Sequence, residues 1–220
     1  MKLGVKIFAV FVTIILGITF LYNPPPVIDK SQIKATALID YPSKFNYRQT
    51  MNDCGPFNTA AVVRALKKEE IDPQVFAEEI GWRLPNGYTL PWGLEEQLEE
   101  NGIVIEKPNL KSLSDEERIL FLQQQLSQGK PVIILGDLSE TNSFKHYVTV
   151  FGFDALKDEF YIYDSLHDKN PGLEGMTKDD NAELPGNRTF SSKGLLVFWR
   201  DGGMYGMYKW YAIVASFSDV

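Results

Sequence analysis

The spacing of apolar residues changes once along this chain, near Gly129, and that change limits the folds open to it. Before it, apolar residues recur at helical intervals behind recognisable start signals. Asp72-Pro73 opens a helix expected to reach about Ile80, and Leu90-Pro91 opens another that ends near Gly102. Ser114 followed by Glu117 forms a capping box ahead of Ile119, Leu120, Leu122 and Leu126. After the change, the runs 132–135, 146–151, 160–163, 195–199 and 209–214 are short, β-branched and aromatic, with Gly and Asp turns between them. These read as strands. Helices first and strands second predict an α+β fold with an antiparallel sheet in its second half, not alternating βαβ units. No internal repeat appears, and 165–193 is the one long irregular stretch.

With 220 residues, 44% of them hydrophobic, the chain is long enough for one domain with a sizeable core. A net charge of −7 and the lack of any basic stripe argue against nucleic acid as a partner, since phosphate binding needs clustered Lys and Arg. The single cysteine cannot form an internal disulfide, and with two histidines it cannot close a zinc site without carboxylates, so no metal or cofactor is expected. The acidic stretch 179–183 lacks the glycine and terminal glutamate of a calcium loop and reads as solvated. Asn187-Arg188-Thr189 fits the glycosylation pattern.

Residues 7–22 are uncharged and follow Lys2 and Lys6. The run is near the lower limit for spanning a bilayer and slightly long for a signal peptide. It is expected to be a retained membrane anchor within residues 1–22, with the membrane as a partner through 7–22 and the globular domain extracytoplasmic. Cleavage would instead make the protein secreted. Residues 23–44, with Pro24 to Pro26 and Pro42, read as an extended linker, and 45–220 as the globular domain.

Cys54 stands in Asp53-Cys54-Gly55-Pro56, just before the small and apolar residues Ala60, Ala61, Val63 and Leu66. Pro56 suits a first helical turn, which places Cys54 at the helix N-terminus. It is either a small apolar filler there or a nucleophile, because unpaired N–H groups and the helix dipole favour a thiolate. A nucleophilic thiol needs a base, and the base an orienting acceptor. His146 begins one expected strand and Asp164 ends the next. If the turn between them pairs Phe153 with Glu159, Asp164 faces Val148 and lies diagonally beside His146 on one face. An offset of one residue puts them on opposite faces. His167 is the competing base. Trp82, Tyr88 and Trp92 either line a cleft or fill the core.

Gln49, then Asp53-Cys54-Gly55-Pro56 entering an Ala-rich helix, then Lys130-Pro131-Val132 ahead of His146-Tyr147-Val148, then Tyr161-Ile162-Tyr163-Asp164, form an ordered set. In these motifs, over roughly residues 45–166, the chain resembles the C39-like branch of the papain-like cysteine peptidases, related to the leader-processing domains of bacteriocin exporters. The resemblance implies a papain-like fold and a cysteine peptidase without cofactor, acting on a peptide or protein. It implies Cys54 as nucleophile, His146 as general base, Asp164 as the residue orienting it and Gln49 as oxyanion donor. The reaction expected is cleavage of a peptide or isopeptide bond through a thioester. An acyl or peptidyl transferase on the same residues, and a non-catalytic membrane-tethered peptide-binding module, are the alternatives.

Overall fold

A central run of alanine and valine, Ala60-Ala61-Val62-Val63, sets the place in the fold of the helix that begins at Cys54. The computed structural model describes residues 23–138, 144–166, 176–178, 184–203 and 207–217. Helix α1, Cys54–Lys67, is buried from Cys54 to Ala65, with Ala60, Ala61, Val62 and Val63 wholly inaccessible. Small side chains let neighbours approach it on every side. Two short helices pack beside it, α2 (Pro73–Glu79) and α3 (Pro91–Glu100), each with proline in its first turn. Asp72 caps α2 by accepting from the Gln74 N–H. Helix α4, Asp115–Ser127, carries the expected capping box: Ser114 Oγ accepts from Glu117 N, and Glu117 Oε2 accepts from Ser114 N.

The described strands form one eight-stranded sheet. They are β1 (Thr36–Leu38), β2 (Ile103–Glu106), β3 (Val132–Asp137), β4 (Lys145–Asp154), β5 (Glu159–Tyr163), β6 (Met176–Lys178), β7 (Arg188–Phe190) and β8 (Ala212–Phe217). Their order is β2-β8-β3-β4-β5-β7-β6, with β1 added to β4, and every pairing is antiparallel. The fold is therefore α+β with an antiparallel sheet.

Alternate residues of the central strands enter different cores. Val132, Ile134, Val148, Val150 and Val214 pack with α4 side chains Phe121, Leu122 and Leu126, whereas Ile133, Leu135, Tyr147 and Ile213 pack with Cys54, Val63, Phe76 and Leu94. A sheet covered on both faces explains why β3 and β4 read as continuous apolar runs without alternation.

The structure departs from the sequence expectation in several places, β1 and β2 ahead of Gly129 and β7 within 165–193 among them. The run 195–199 is helical: α5, Ser192–Trp199, is capped by Ser191, whose Oγ accepts from the Gly194 N–H. Its spacing puts Leu195, Phe198 and Trp199 in the core at i, i+3 and i+4. Part of the expected linker belongs to the fold, since β1 pairs with β4 and Ala37, Ile39 and Tyr41 are buried. The expected membrane-anchored, extracytoplasmic or secreted localisation is also corrected. Among the described residues no helix is long and apolar enough to cross a membrane. The longest, α1, has 14 residues against the roughly 20 a bilayer requires, and its apolar side chains are spent on the protein core. The run 7–22 lies outside the described residues, as do His167 and the acidic stretch 179–183.

Candidate active site

Cys54 is the first residue of α1, 3% exposed, and it lines a cleft enclosing about 240 Å³. Gly55 allows the cleft wall to close on the helix. A Cβ there would stand 3.0 Å from both Leu94 Cδ1 and Thr89 Cβ, too close for a side chain without displacement. Asp53 does not cap α1 with its side chain. Its carboxylate instead accepts from Thr50 Oγ1 at 2.7 Å and from Arg83 Nη2 at 2.6 Å, fixing the segment that carries Leu84, Tyr88 and Thr89 along the cleft.

Asn58, one turn beyond Cys54, joins the helix to the histidine strand. Its Nδ2 donates to the Cys54 carbonyl at 2.8 Å and to the Tyr147 carbonyl at 2.9 Å, while its Oδ1 accepts from Thr149 Oγ1 at 2.6 Å. All three contacts are buried. They fix the relative position of the residue bearing the thiol and the residue next to His146.

The register that brings His146 to Asp164 depends on a bulge. Near the turn, β4 and β5 pair Phe153 with Phe160, one residue off the pairing the sequence requires. Between Val150 and Gly152 the register shifts, so Tyr163 comes opposite Thr149, and one step further Asp164 lies beside Val148. The extra residue restores the common face that the offset would have destroyed. His146 Nε2 and Asp164 Oδ1 are 2.7 Å apart, with the side chains 1% and 2% exposed.

Asp164 is held from several directions. Its Oδ1 accepts from the Leu166 N–H at 2.9 Å, and its Oδ2 from Arg188 Nε at 3.3 Å. Asn187 binds both backbone groups, accepting from Asp164 N at 2.8 Å and donating to Asp164 O at 2.9 Å. The glycosylation pattern at Asn187 is thus inside the protein, with its amide nitrogen engaged and 6% of the residue exposed. Neither Asn187 nor Arg188 carries a local sequence signal for this role. They reach Asp164 only because β7 pairs with β5.

Burial is the largest influence on the His146 pKa and acts to lower it, but Asp164 and then Cys54 outweigh burial and raise it to about 10. For Asp164, burial again acts first, upward. His146, the Leu166 N–H and Arg188 reverse it and leave the carboxyl below its ordinary value. Since Nε2 faces Asp164, Nδ1 is the nitrogen left for Cys54; it is buried and makes no hydrogen bond of ordinary geometry. Tyr147, between the cleft and the sheet, is kept protonated by burial and then by the neighbouring Cys54, and its hydroxyl donates to the Thr89 carbonyl at 3.2 Å.

Gln49 lies on the loop entering α1. Its N–H donates to the Ser165 carbonyl, its Oε1 accepts from Ser165 Oγ at 2.6 Å, and its Nε2 donates to the Met51 carbonyl at 2.8 Å. It therefore ties the loop ahead of Cys54 to the residue after Asp164. Tyr88 lines the cleft, while Trp82 and Trp92 are exposed at 56% and 48%, in neither the core nor the cleft lining. Among the described residues no group of three or more His, Cys, Asp or Glu side chains converges as a metal site would need.

A family model described as the Peptidase_C39 like family matches residues 38–183. No curated protein matches the chain. Among the solved structures that match is xylellain, a cysteine protease from Xylella fastidiosa, at 10% sequence identity and a TM-score of 0.46, covering 89% of this chain and 92% of that one.

Proposed function

This chain belongs to the Peptidase_C39 like family and is a cysteine peptidase, and from that premise we propose that it cleaves a peptide or isopeptide bond through a thioester on Cys54. The observation that carries the reading is the buried 2.7 Å pair of His146 and Asp164, with Cys54 also acting on the imidazole. Cys54 attacks the carbonyl carbon as thiolate, and the carbonyl π electrons move to oxygen. His146, as imidazolium, then donates its proton to the leaving nitrogen as the C–N bond breaks. Water attacks the thioester, neutral His146 takes its proton, and collapse releases the acid and the thiolate. Asp164 orients the ring and stabilises its cation, and Arg188 and Asn187 hold Asp164.

The oxyanion requires donors already in place. The Cys54 backbone N–H, at the open end of α1, is one. The second amide hydrogen of Gln49 is the other, its Nε2 already anchored at Met51. The experiment is hydrolysis of an unfolded protein such as casein by the full chain and by Cys54→Ala and His146→Ala. New amino termini should appear only with the native chain. Equal hydrolysis by Cys54→Ala would remove the thioester from the account.

A further inference from the structure

Two tryptophans stand exposed beside the Cys54 cleft, and the chain goes to some length to hold them there. The Trp82 and Trp92 rings meet at 5.5 Å between centroids, and Trp92 contacts Tyr208, which lines the cleft, at 6.5 Å. The three rings make a continuous strip from the surface to the site. Trp82 has φ of 54°, a left-handed conformation that bulky residues rarely adopt, yet it is more than half exposed. Gly93 permits the approach, because a Cβ there would lie 2.5 Å from the Gly81 carbonyl oxygen. The Trp82 carbonyl accepts from the Leu90 N–H at 3.0 Å, so the backbone holds the turn while the ring stays at the surface.

The strip is set in negative charge. From Glu69 to Glu100 the sequence holds nine acidic residues and one basic residue, Arg83, which is committed to Asp53; Glu69 is paired with Lys67, and Glu95, buried, with Lys107, which leaves Glu96 and the acidic helix ends as the charge beside the rings. Glu96 lies one turn beyond Trp92 and its Oε2 accepts from Trp82 Nε1 at 3.0 Å. Helices α2 and α3 end on Glu78-Glu79 and Glu99-Glu100, with no basic residue in either last turn. A helix C-terminus favours cations, and Glu96 and Glu100 add a like-charge i, i+4 pair, so these placements work against helix stability. The cation lining the cleft, Lys145, is paired with Asp137 at 2.7 Å.

We propose that this face binds a basic peptide segment, with Lys or Arg side chains against Trp82 and Trp92 beside Glu96 and the chain continuing past Tyr208 to Cys54. The proposal rests on the reading of Cys54 as the acyl-transfer site and names the substrate class for it: peptides with a basic segment to one side of the scissile bond. Cations over indole rings and complementary charge supply the attraction.

The test titrates the full chain carrying Cys54→Ala with hexalysine, hexaglutamate and a neutral Gly-Ser peptide of equal length, followed by tryptophan fluorescence. Trp199 and Trp210 are buried, so the exposed pair reports. Hexalysine alone should bind, more weakly in about 0.5 M salt where exposed charges are screened. Trp82→Gly and Trp92→Ala should each weaken it about two- to fivefold. In the native chain, hexalysine should also slow alkylation of Cys54. Equal binding of the neutral or acidic peptide, binding indifferent to both tryptophan substitutions, or binding that leaves alkylation unslowed would overturn the proposal. Absent binding with normal Cys54 reactivity would overturn it alone, whereas an unreactive Cys54 would overturn the reading of the site.

Discussion

On the His146 side of Cys54, polar side chains are buried and committed; on the Trp82 side, two aromatic rings stand exposed beside Glu96. His146, Asp164, Asn187 and Arg188 are each at most 6% exposed and joined by contacts of 2.7 to 3.3 Å. Trp82 and Trp92 are about half exposed, and one hydrogen bond, from Trp82 to Glu96, links the pair to the acidic face. Proton transfer tolerates little misplacement, so its groups are fixed by burial, where hydrogen bonds are strong and an unpaired partner is costly. Recognition of a long substrate needs reach and open surface instead. In the proposed function the same chain supplies both, joined at α1, whose first residue carries the thiol and whose Asn58 is bonded to β4.

The contrast is broken most forcefully on the committed side. Asp164→Asn should lower turnover of casein by about 10⁴-fold, the scale at which a triad carboxylate acts on its histidine; a loss under about tenfold would assign the orienting role to another group. Asn58→Ala strips partners from the Cys54 and Tyr147 carbonyls and from Thr149, and should cost roughly 2–3 kcal/mol in urea unfolding while also slowing Cys54 alkylation.

A pH series sharpens the same side. The His146 pKa is raised to about 10 from an ordinary value of about 6.5, so its contribution to stability is whole below about pH 6.5 and is lost as pH rises through about 10. Asp164 has the opposite sign: held below its ordinary value, it contributes above about pH 3.9 and loses that contribution as pH falls through the lowered value. Urea midpoints from about pH 6 to 11 should therefore fall less steeply in His146→Gln than in the native chain. On the open side the effect on folding should be smallest. Trp82→Gly relieves a left-handed tryptophan and should cost no more than about 0.5 kcal/mol, while weakening basic-peptide binding.

Local signals in the sequence reported local structure well. Pro56 and the Ala-Val run located α1 and put Cys54 at its start, and Ser114 with Glu117 located α4, because caps and first-turn prolines act within a few residues. The run 195–199 misled because a short apolar stretch suits a strand or a buried helix equally, and the deciding residue, Ser191, lies outside it. The His146–Asp164 pairing was legible only as a condition on register: Gly152, an isolated glycine inside a strand run, marks where the bulge falls but does not say which way it shifts the pairing. Arg188 and Asn187 were illegible as site residues, being brought to Asp164 by strand pairing across more than 20 positions. The two exposed tryptophans could not be told from core residues without knowing which way the 82–92 segment faces.

The most direct measurement is the pH dependence of Cys54 alkylation in the full chain, native against His146→Ala. An imidazolium beside the thiol predicts that at about pH 6 to 7 native Cys54 is alkylated much faster than a free cysteine and that His146→Ala removes most of that advantage. Alkylation of both proteins at the rate of a free cysteine would contradict an activated Cys54–His146 pair.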